Sequence, residues 1–318
     1  MLIVERSANF GRRVGEATVE VSGYFLSRVL DLSGHLNEAH LLKQGMRFWF
    51  ANSATQTFGE ASEMGPRFNV RFPSWQIDRS TIDEELLRRV AEGGTELRRP
   101  ARVTSVELSP GGEQAVNIEG AGGVERVTCR WVVDASGVAS ILPRQEQWWQ
   151  ANTEHPTAAA WARWRGVKNW DGRELAQRYP SFGGRCFGIR NTATNHVVGY
   201  GWWSWWIPLK GGDVSVGIVF DQRLVSFPSD ERPLGDRIKA FLSEHPAGAE
   251  LLANPEWIPG DVHSRKNLAY SSTTFAGDGF VIVGDAAGFL DPLYSPGMDW
   301  ISFTTSAAAA LIQAQREG

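Results

Sequence analysis

Three stretches of this chain carry residue types that could do chemistry. In Gly284-Asp-Ala-Ala-Gly-Phe-Leu-Asp-Pro292 the apolar run Phe280-Val-Ile-Val ends in Gly284-Asp285, passes through small residues and reaches Pro292 shortly before Gly297. A strand that ends this way ahead of a helix sets main-chain N–H groups and one carboxylate beside a phosphate or a polyol, because the first N–H groups of a helix have no partner within it. Glu5 closes a second apolar run, Leu2-Ile-Val. An acid at the end of such a strand is the type that binds the ribose hydroxyls of a dinucleotide. The third stretch is Gly201-Trp-Trp-Ser-Trp-Trp-Ile-Pro208. Side chains alternate along a strand, so Trp203, Trp205 and Ile207 share one face and Trp202, Ser204 and Trp206 the other. Many of the 14 tryptophans fall between Trp148 and Trp206, so this region needs a large rigid aromatic surface.

These segments have to be held in place by elements. Leu2-Ile-Val-Glu5 and Phe280-Val-Ile-Val-Gly-Asp285 read as short buried parallel strands, and Trp131-Val-Val-Asp134 as another that runs into the turn Ala135-Ser-Gly137. Val21, Phe25, Leu26, Val29, Leu30 and Leu32 recur at helical spacing over residues 19–32; residues 80–92 repeat the pattern with a Ser80/Asp83 capping signature. Residues 47–72 alternate as a short antiparallel excursion ending at Pro73. Hairpins are predicted across Pro110-Gly-Gly and across Lys210-Gly-Gly-Asp213, and helices over 234–252 and from about Gly297 onward. The order predicts an α/β fold. A doubly wound parallel sheet occupies residues 1–143, with the small excursion near 46–75. A mainly antiparallel substrate domain occupies 144–270, and 271–318 return to the first sheet.

Composition narrows the partners. With 42% apolar and 21% charged residues the chain is an ordinary globular one with a sizeable core. A net charge of -4, without clusters of Lys/Arg between aromatics, speaks against nucleic acid as a partner and for a small molecule. No run of 18 apolar residues and no leader pattern is present, and Cys129 and Cys186 stand far apart without metal-ligand spacing, so the expected location is the cytoplasm, with neither cysteine given a role. His35, His40, His155, His196, His245 and His263 show no metal spacing, and most are expected to face solvent or be satisfied locally. No metal site is expected.

The Gly284-Asp285 turn, with Pro292 after six intervening residues, resembles the second flavin motif of the FAD-dependent monooxygenase superfamily. Further stations follow that resemblance in register: Glu5, Arg12 through Gly15-Glu16 as Arg-x-x-Gly-Glu, Gln76-Ile-Asp-Arg79, and Val133-Asp-Ala-Ser-Gly137. The uninterrupted Trp-x-Trp-x-Ile-Pro of residues 203–208 is similar to the pattern of the flavin-dependent halogenases. What the resemblance implies is FAD held by Glu5, Arg12, Gly15, Glu16, Arg79, Val103, Gly284, Asp285, Pro292, Gly297 and Met298. The helix opening at Gly297 would turn its positive end toward the flavin. Trp203 and Trp205 would wall the flavin from the substrate, so that only a small hypohalous acid crosses.

The same resemblance implies a catalytic lysine, and Lys43, in Lys43-Gln-Gly45-Met-Arg-Phe48, matches the Lys-x-Gly-x-x-Phe of phenol and pyrrole halogenases. Gly297 joins it as a donor for halide. Tryptophan halogenases carry a Glu two residues beyond the proline; this chain has Tyr294, which implies an electron-rich phenol or pyrrole instead of an indole. Pro296 brings no N–H to the presumed halide site, leaving Gly297 and Met298 as donors. A separate flavin reductase is the implied partner. The family's Gly-x-Gly-x-x-Gly turn precedes the strand that begins at Leu2, so a piece of a longer chain is expected. A hydroxylase or alkene reductase of the same superfamily, and a non-catalytic flavin-fold protein, are the alternatives.

Overall fold

Alternating bulky residues build the largest element of the computed structural model, which describes residues 1–186 and 188–317. It is a seven-stranded sheet in the order Glu256–Lys266, Thr157–Arg165, Val214–Asp221, Trp202–Pro208, Thr194–Gly199, Met46–Phe50, Ser62–Met64. Every neighbouring pair is antiparallel except Thr194–Gly199 with Met46–Phe50. Phe48 and Trp49 explain why the short excursion joins this sheet: both are buried, and Trp49 stacks on Trp170 at 5.0 Å and on Phe58 at 5.4 Å.

The two faces of Trp202–Pro208 do different work. Trp206 lies in an aromatic and aliphatic core with Trp49, Trp164, Trp170 and the helix residues Ile238 and Leu242, and Trp202 packs on it. Trp203, Trp205 and Ile207 point the other way, against Ala17, Leu268, Phe289 and Leu293 from outside the sheet. The alternation read from sequence therefore holds residue by residue.

The α/β half contains parallel strands in two pairs, Leu2–Val4 with Glu96–Arg98 and Val132–Asp134 with Phe280–Ile282. The helix Arg79–Glu92 and the 22-residue helix Pro296–Glu317 accompany them. The hairpin across Pro110 is present as Arg102–Glu107 and Gln114–Gly120, extended by Gly123–Cys129.

Three local expectations change. Residues 19–32 form only one α turn, Glu20–Tyr24, before a wider turn over Phe25–Val29 in which the Leu30 N–H reaches the Phe25 carbonyl five residues back. Gly23, a poor helix former, sits at the junction. The 234–252 helix is two, Leu234–Ser243 and Pro246–Leu251, because Pro246 has no N–H and forces His245 into extended backbone. The cap of Arg79–Glu92 is Asp78, which accepts the Ser80 N–H at 2.9 Å, while Asp83 pairs with Arg79 instead.

Gly217 on Val214–Asp221 is required by the wall it faces. A Cβ there would lie 2.1 Å from Trp205 Cζ2 and 2.6 Å from Trp161 Cβ. Gly217→Ala should therefore lower stability by about 1–3 kcal/mol through overpacking, read as a shifted denaturant midpoint with quenching or red-shift of tryptophan emission; an unchanged midpoint would contradict this packing.

Candidate functional site

The turn after Phe280–Ile282 is fixed from two sides. The Gly284 N–H donates to Thr304 Oγ1 at 3.0 Å and its carbonyl accepts from Trp300 Nε1 at 3.0 Å, both from the last helix. Tyr270 Oη donates to the Asp285 carbonyl at 2.7 Å. The Asp285 carboxyl itself is half-buried, and among the described residues it meets no hydrogen-bond donor. Burial pushes it up from the ordinary carboxylate range, while the charges of Arg79 and Arg265 pull it back.

Arg79 connects that turn to the Arg12–Glu16 loop. Its guanidinium pairs with Asp83 at 3.0 Å, reaches the Val14 carbonyl at 3.4 Å, and lies so near Gly15 that a Cβ there would be 2.7 Å from Nη1. With φ of +92°, Gly15 is also held where a side chain would be strained. So Gly15, Arg79 and Asp285 are brought into one neighbourhood.

Other expected cofactor residues have other engagements. Glu5 accepts the Ser7 N–H at 2.7 Å. Exposed Arg12 lies 4.0 Å from Asp213 and 3.9 Å from Asp261. Glu16 is buried and accepts from Arg163 at 2.6 Å; burial pushes it up to about 7 against the pull of Arg163 and the Ser215 hydroxyl. Val103 sits on the Arg102–Glu107 strand, packed on the cluster of Val106, Leu142 and Phe280.

The second focus is Lys43, at the end of the strand Leu41–Lys43, which pairs with Ser74–Gln76. Only 1% exposed, it donates from Nζ to the Thr18 carbonyl at 2.6 Å. Burial drives its ammonium down to about 7, with Glu20 and Asp299 opposing. Asp299 belongs to the last helix and accepts the Ser22 N–H at 2.9 Å, tying the helix start to the turn beside Lys43. Met298 packs on the Leu26, Leu36 and Trp75 cluster, and Gly297 has open space where a Cβ would be. Before them, Tyr294 and Ser295 both have positive φ, +66° and +58°, unfavourable for side-chain-bearing residues, and the Ser295 N–H is turned back onto the Pro292 carbonyl at 3.0 Å.

A chain of aromatic rings runs from the loop before the last helix to the tryptophan strand. Tyr294 is 5.4 Å from Phe48, which stacks on His196 at 4.8 Å, and His196 is 5.6 Å from Trp203. Among the histidines, His155 and His263 have partly exposed side chains and His245 accepts the nearby Ala247 N–H, as expected, whereas His196 and His40 depart from the expectation that most face solvent or are satisfied locally. His196 is 1% exposed, with Nδ1 lacking a hydrogen-bond partner, and burial followed by the Lys43 charge lowers it to about 3. His40 is buried and accepts the Asp78 N–H from 38 positions away, and buried His245 caps Pro246–Leu251. Nothing in local sequence marks His196; its neighbours come from strands far apart in the chain. Cys129 and buried Cys186 are free thiols, and no helix among the described residues is long and apolar enough to cross a membrane.

The family model described as tryptophan halogenase matches residues 66–315. The chain is 25% identical to the flavin-dependent halogenase armH5 of Armillaria mellea, over all of this chain and 60% of that protein. It is 28% identical to the flavin-dependent halogenase chlA of Dictyostelium discoideum, over 95% of this chain and 52% of that one. The chain thus spans between about half and three-fifths of the length of these curated relatives. A crystal structure of a variant of the halogenase PltM with FAD shares the fold, with a TM-score of 0.83 at 22% identity, covering 99% of this chain and 65% of that one. The flavin-dependent brominase Bmp2 gives 0.75 at 24% identity, covering 95% and 69%.

Lys43 makes a prediction independent of any ligand. Its folded-state pKa lies below the 10.5 of a free lysine, so the unfolded chain binds the extra proton between about pH 7 and 10.5. The linked stability is full above that window and is lost as pH falls through it. Denaturant midpoints should rise with pH across this range in the unaltered protein and rise less steeply in Lys43→Met. Equal slopes would mean that Lys43 is not a buried, titrating amine.

Proposed function

Because the chain belongs to the tryptophan halogenase family, we propose that it forms the flavin- and substrate-binding core of an FAD-dependent halogenase acting on an electron-rich phenol or pyrrole. The observation that carries this reading is Lys43: an amine 1% exposed, bonded to the Thr18 main-chain carbonyl, near Asp299 at the start of the last helix and near the ring of His196. Buried lysines with lowered basicity cluster at functional sites.

The residues present suit FAD. Asp285 offers an uncommitted carboxylate to ribityl hydroxyls, Glu5 ends its strand where ribose hydroxyls would sit, and Gly15 with Arg79 offers a close backbone approach and a cation to a pyrophosphate. Gly297 and Met298 head a long helix whose positive end favours an electron-rich ring. A groove of about 640 Å³, lined by Met1, Val133, Val283 and Ala308, runs along the last helix. Bound FAD, reduced by a separate reductase, would supply the activation of dioxygen that oxidises halide.

The chain's own part is to sort and position. Burial makes Lys43 a weaker base than a free lysine, so as an amine it can hold hypohalous acid by hydrogen bonding and as an ammonium return a proton. Trp203 and Trp205 close off bulk solvent and keep an arene from the cofactor side. Tyr294 provides no carboxylate, which suits a ring already activated by its own hydroxyl or nitrogen. We place the reaction in the cytoplasm.

One observation favours hydroxylation as a second reading. Pro296 has no N–H and the Ser295 N–H is committed to Pro292, so Gly297 and Met298 are the donors left for halide at this helix start. Incubating the full-length protein with reduced FAD, oxygen, a phenol and bromide separates the two. Brominated product is expected, and hydroxylated product regardless of bromide would overturn the halogenase reading. Lys43→Ala should lower bromination by on the order of 100-fold or more while flavin reoxidation continues.

A further inference from the structure

Arg163 stands on Thr157–Arg165, in the antiparallel sheet, with its side chain 4% exposed. One terminal nitrogen donates to Glu16 at 2.6 Å and the other to Asp78 at 2.8 Å. The Nε lies 3.5 Å from Asp261. Glu16 immediately follows Gly15, and Asp78 immediately precedes Arg79; Asp78 gives its other oxygen to the Ser80 N–H at the head of the Arg79–Glu92 helix. The main chain closes the same figure, with Ile77 N–H on the Glu16 carbonyl at 2.6 Å.

We propose that Arg163 is a positioning residue for the cofactor: one planar guanidinium, shared between Glu16 and Asp78, sets the spacing of Gly15 and Arg79 and so shapes the phosphate-binding side of the site from the opposite half of the molecule. The inference rests on the flavin reading above. A guanidinium suits the task because its two terminal nitrogens diverge in a fixed plane, whereas an ammonium is a single point that cannot span both carboxylates. Burial raises the stakes. Removing one partner leaves an uncompensated buried charge, so the two carboxylates must repel or rearrange, and the Gly15 loop and the helix cap move with them. The same strand carries Trp161, which contacts Trp205 at 6.4 Å, so one element aligns both the cofactor loop and the aromatic wall.

The test uses Arg163→Lys in the full-length protein, with Glu16→Gln as a second variant that keeps the shape and removes one charge. Two readouts are taken: amide hydrogen exchange by peptide, and FAD affinity alongside turnover at saturating FAD. Faster exchange is expected over residues 12–18 and 76–82, with the 202–208 strand as protected as before. FAD affinity should fall about tenfold, with turnover at saturation changed far less. Unaltered FAD affinity in Arg163→Lys overturns the proposal, and so does a uniform loss of protection over the whole chain, which would mark general support of the fold. If the unsubstituted full-length protein binds no FAD, the flavin reading fails and this role with it, even if the exchange contrast shows that Arg163 ties the two segments.

Discussion

The large antiparallel sheet can dock on segments from elsewhere in the chain only if the side that meets them is apolar and fits them, and here that face is Trp203, Trp205 and Ile207. Dispersion and the removal of indole from water supply the attraction, but neither is directional. Direction comes from fit: Gly217 leaves the room in which the Trp205 ring lies, and Ala17, Leu268, Phe289 and Leu293 meet the wall from the far side. The opposite side of the same strand is sealed by Trp206 in the aromatic core with Trp49 and Trp170. Such a wall is stiff, because indoles have few rotamers and are hemmed in on both faces. Under the proposed function, that stiffness would serve a partition between an oxidising cofactor and an oxidisable ring.

Once that interface is closed, charge has to be placed with care. Lys43 is desolvated beneath it and eased down to about 7, and His196, beside it, is kept neutral by the same burial. Glu16 and Asp78 are buried or half-buried at the seam and are both tied to the Arg163 terminal nitrogens, with Arg163 Nε 3.5 Å from Asp261. The contrast separates the groups by task. Where buried charges pair, they hold the halves in register; Lys43 instead is bonded to the Thr18 main-chain carbonyl.

Legibility in the sequence follows the range of the interactions. The two faces of residues 202–208 were readable because strand geometry has a period of two, and the Gly284-Asp285 turn because its signal lies within a dozen residues. The hairpin at Lys210 and the final helix were local in the same sense. Where the reading went astray, a residue acted at a distance or a single residue overrode a pattern. Pro246 split a helix whose apolar spacing runs straight through it, and Phe48 and Trp49 drew a small excursion into the large sheet. Arg163 was invisible because its partner Glu16 is 147 positions away. His196 gained its environment from strands on either side, and no spacing rule reports that.

The central claim is that the aromatic wall and Lys43 stand on one side of a flavin whose reactive edge meets the start of the last helix. A crystal structure of the full-length protein with FAD and bromide, using the anomalous signal of bromine, tests it directly. The account predicts the flavin ring against Gly297 and Met298, bromide on their main-chain N–H groups, and the Lys43 amine across the Trp203 side from both. Flavin bound elsewhere, or a ring in direct contact with an open substrate pocket and no bromide at the helix start, would contradict it.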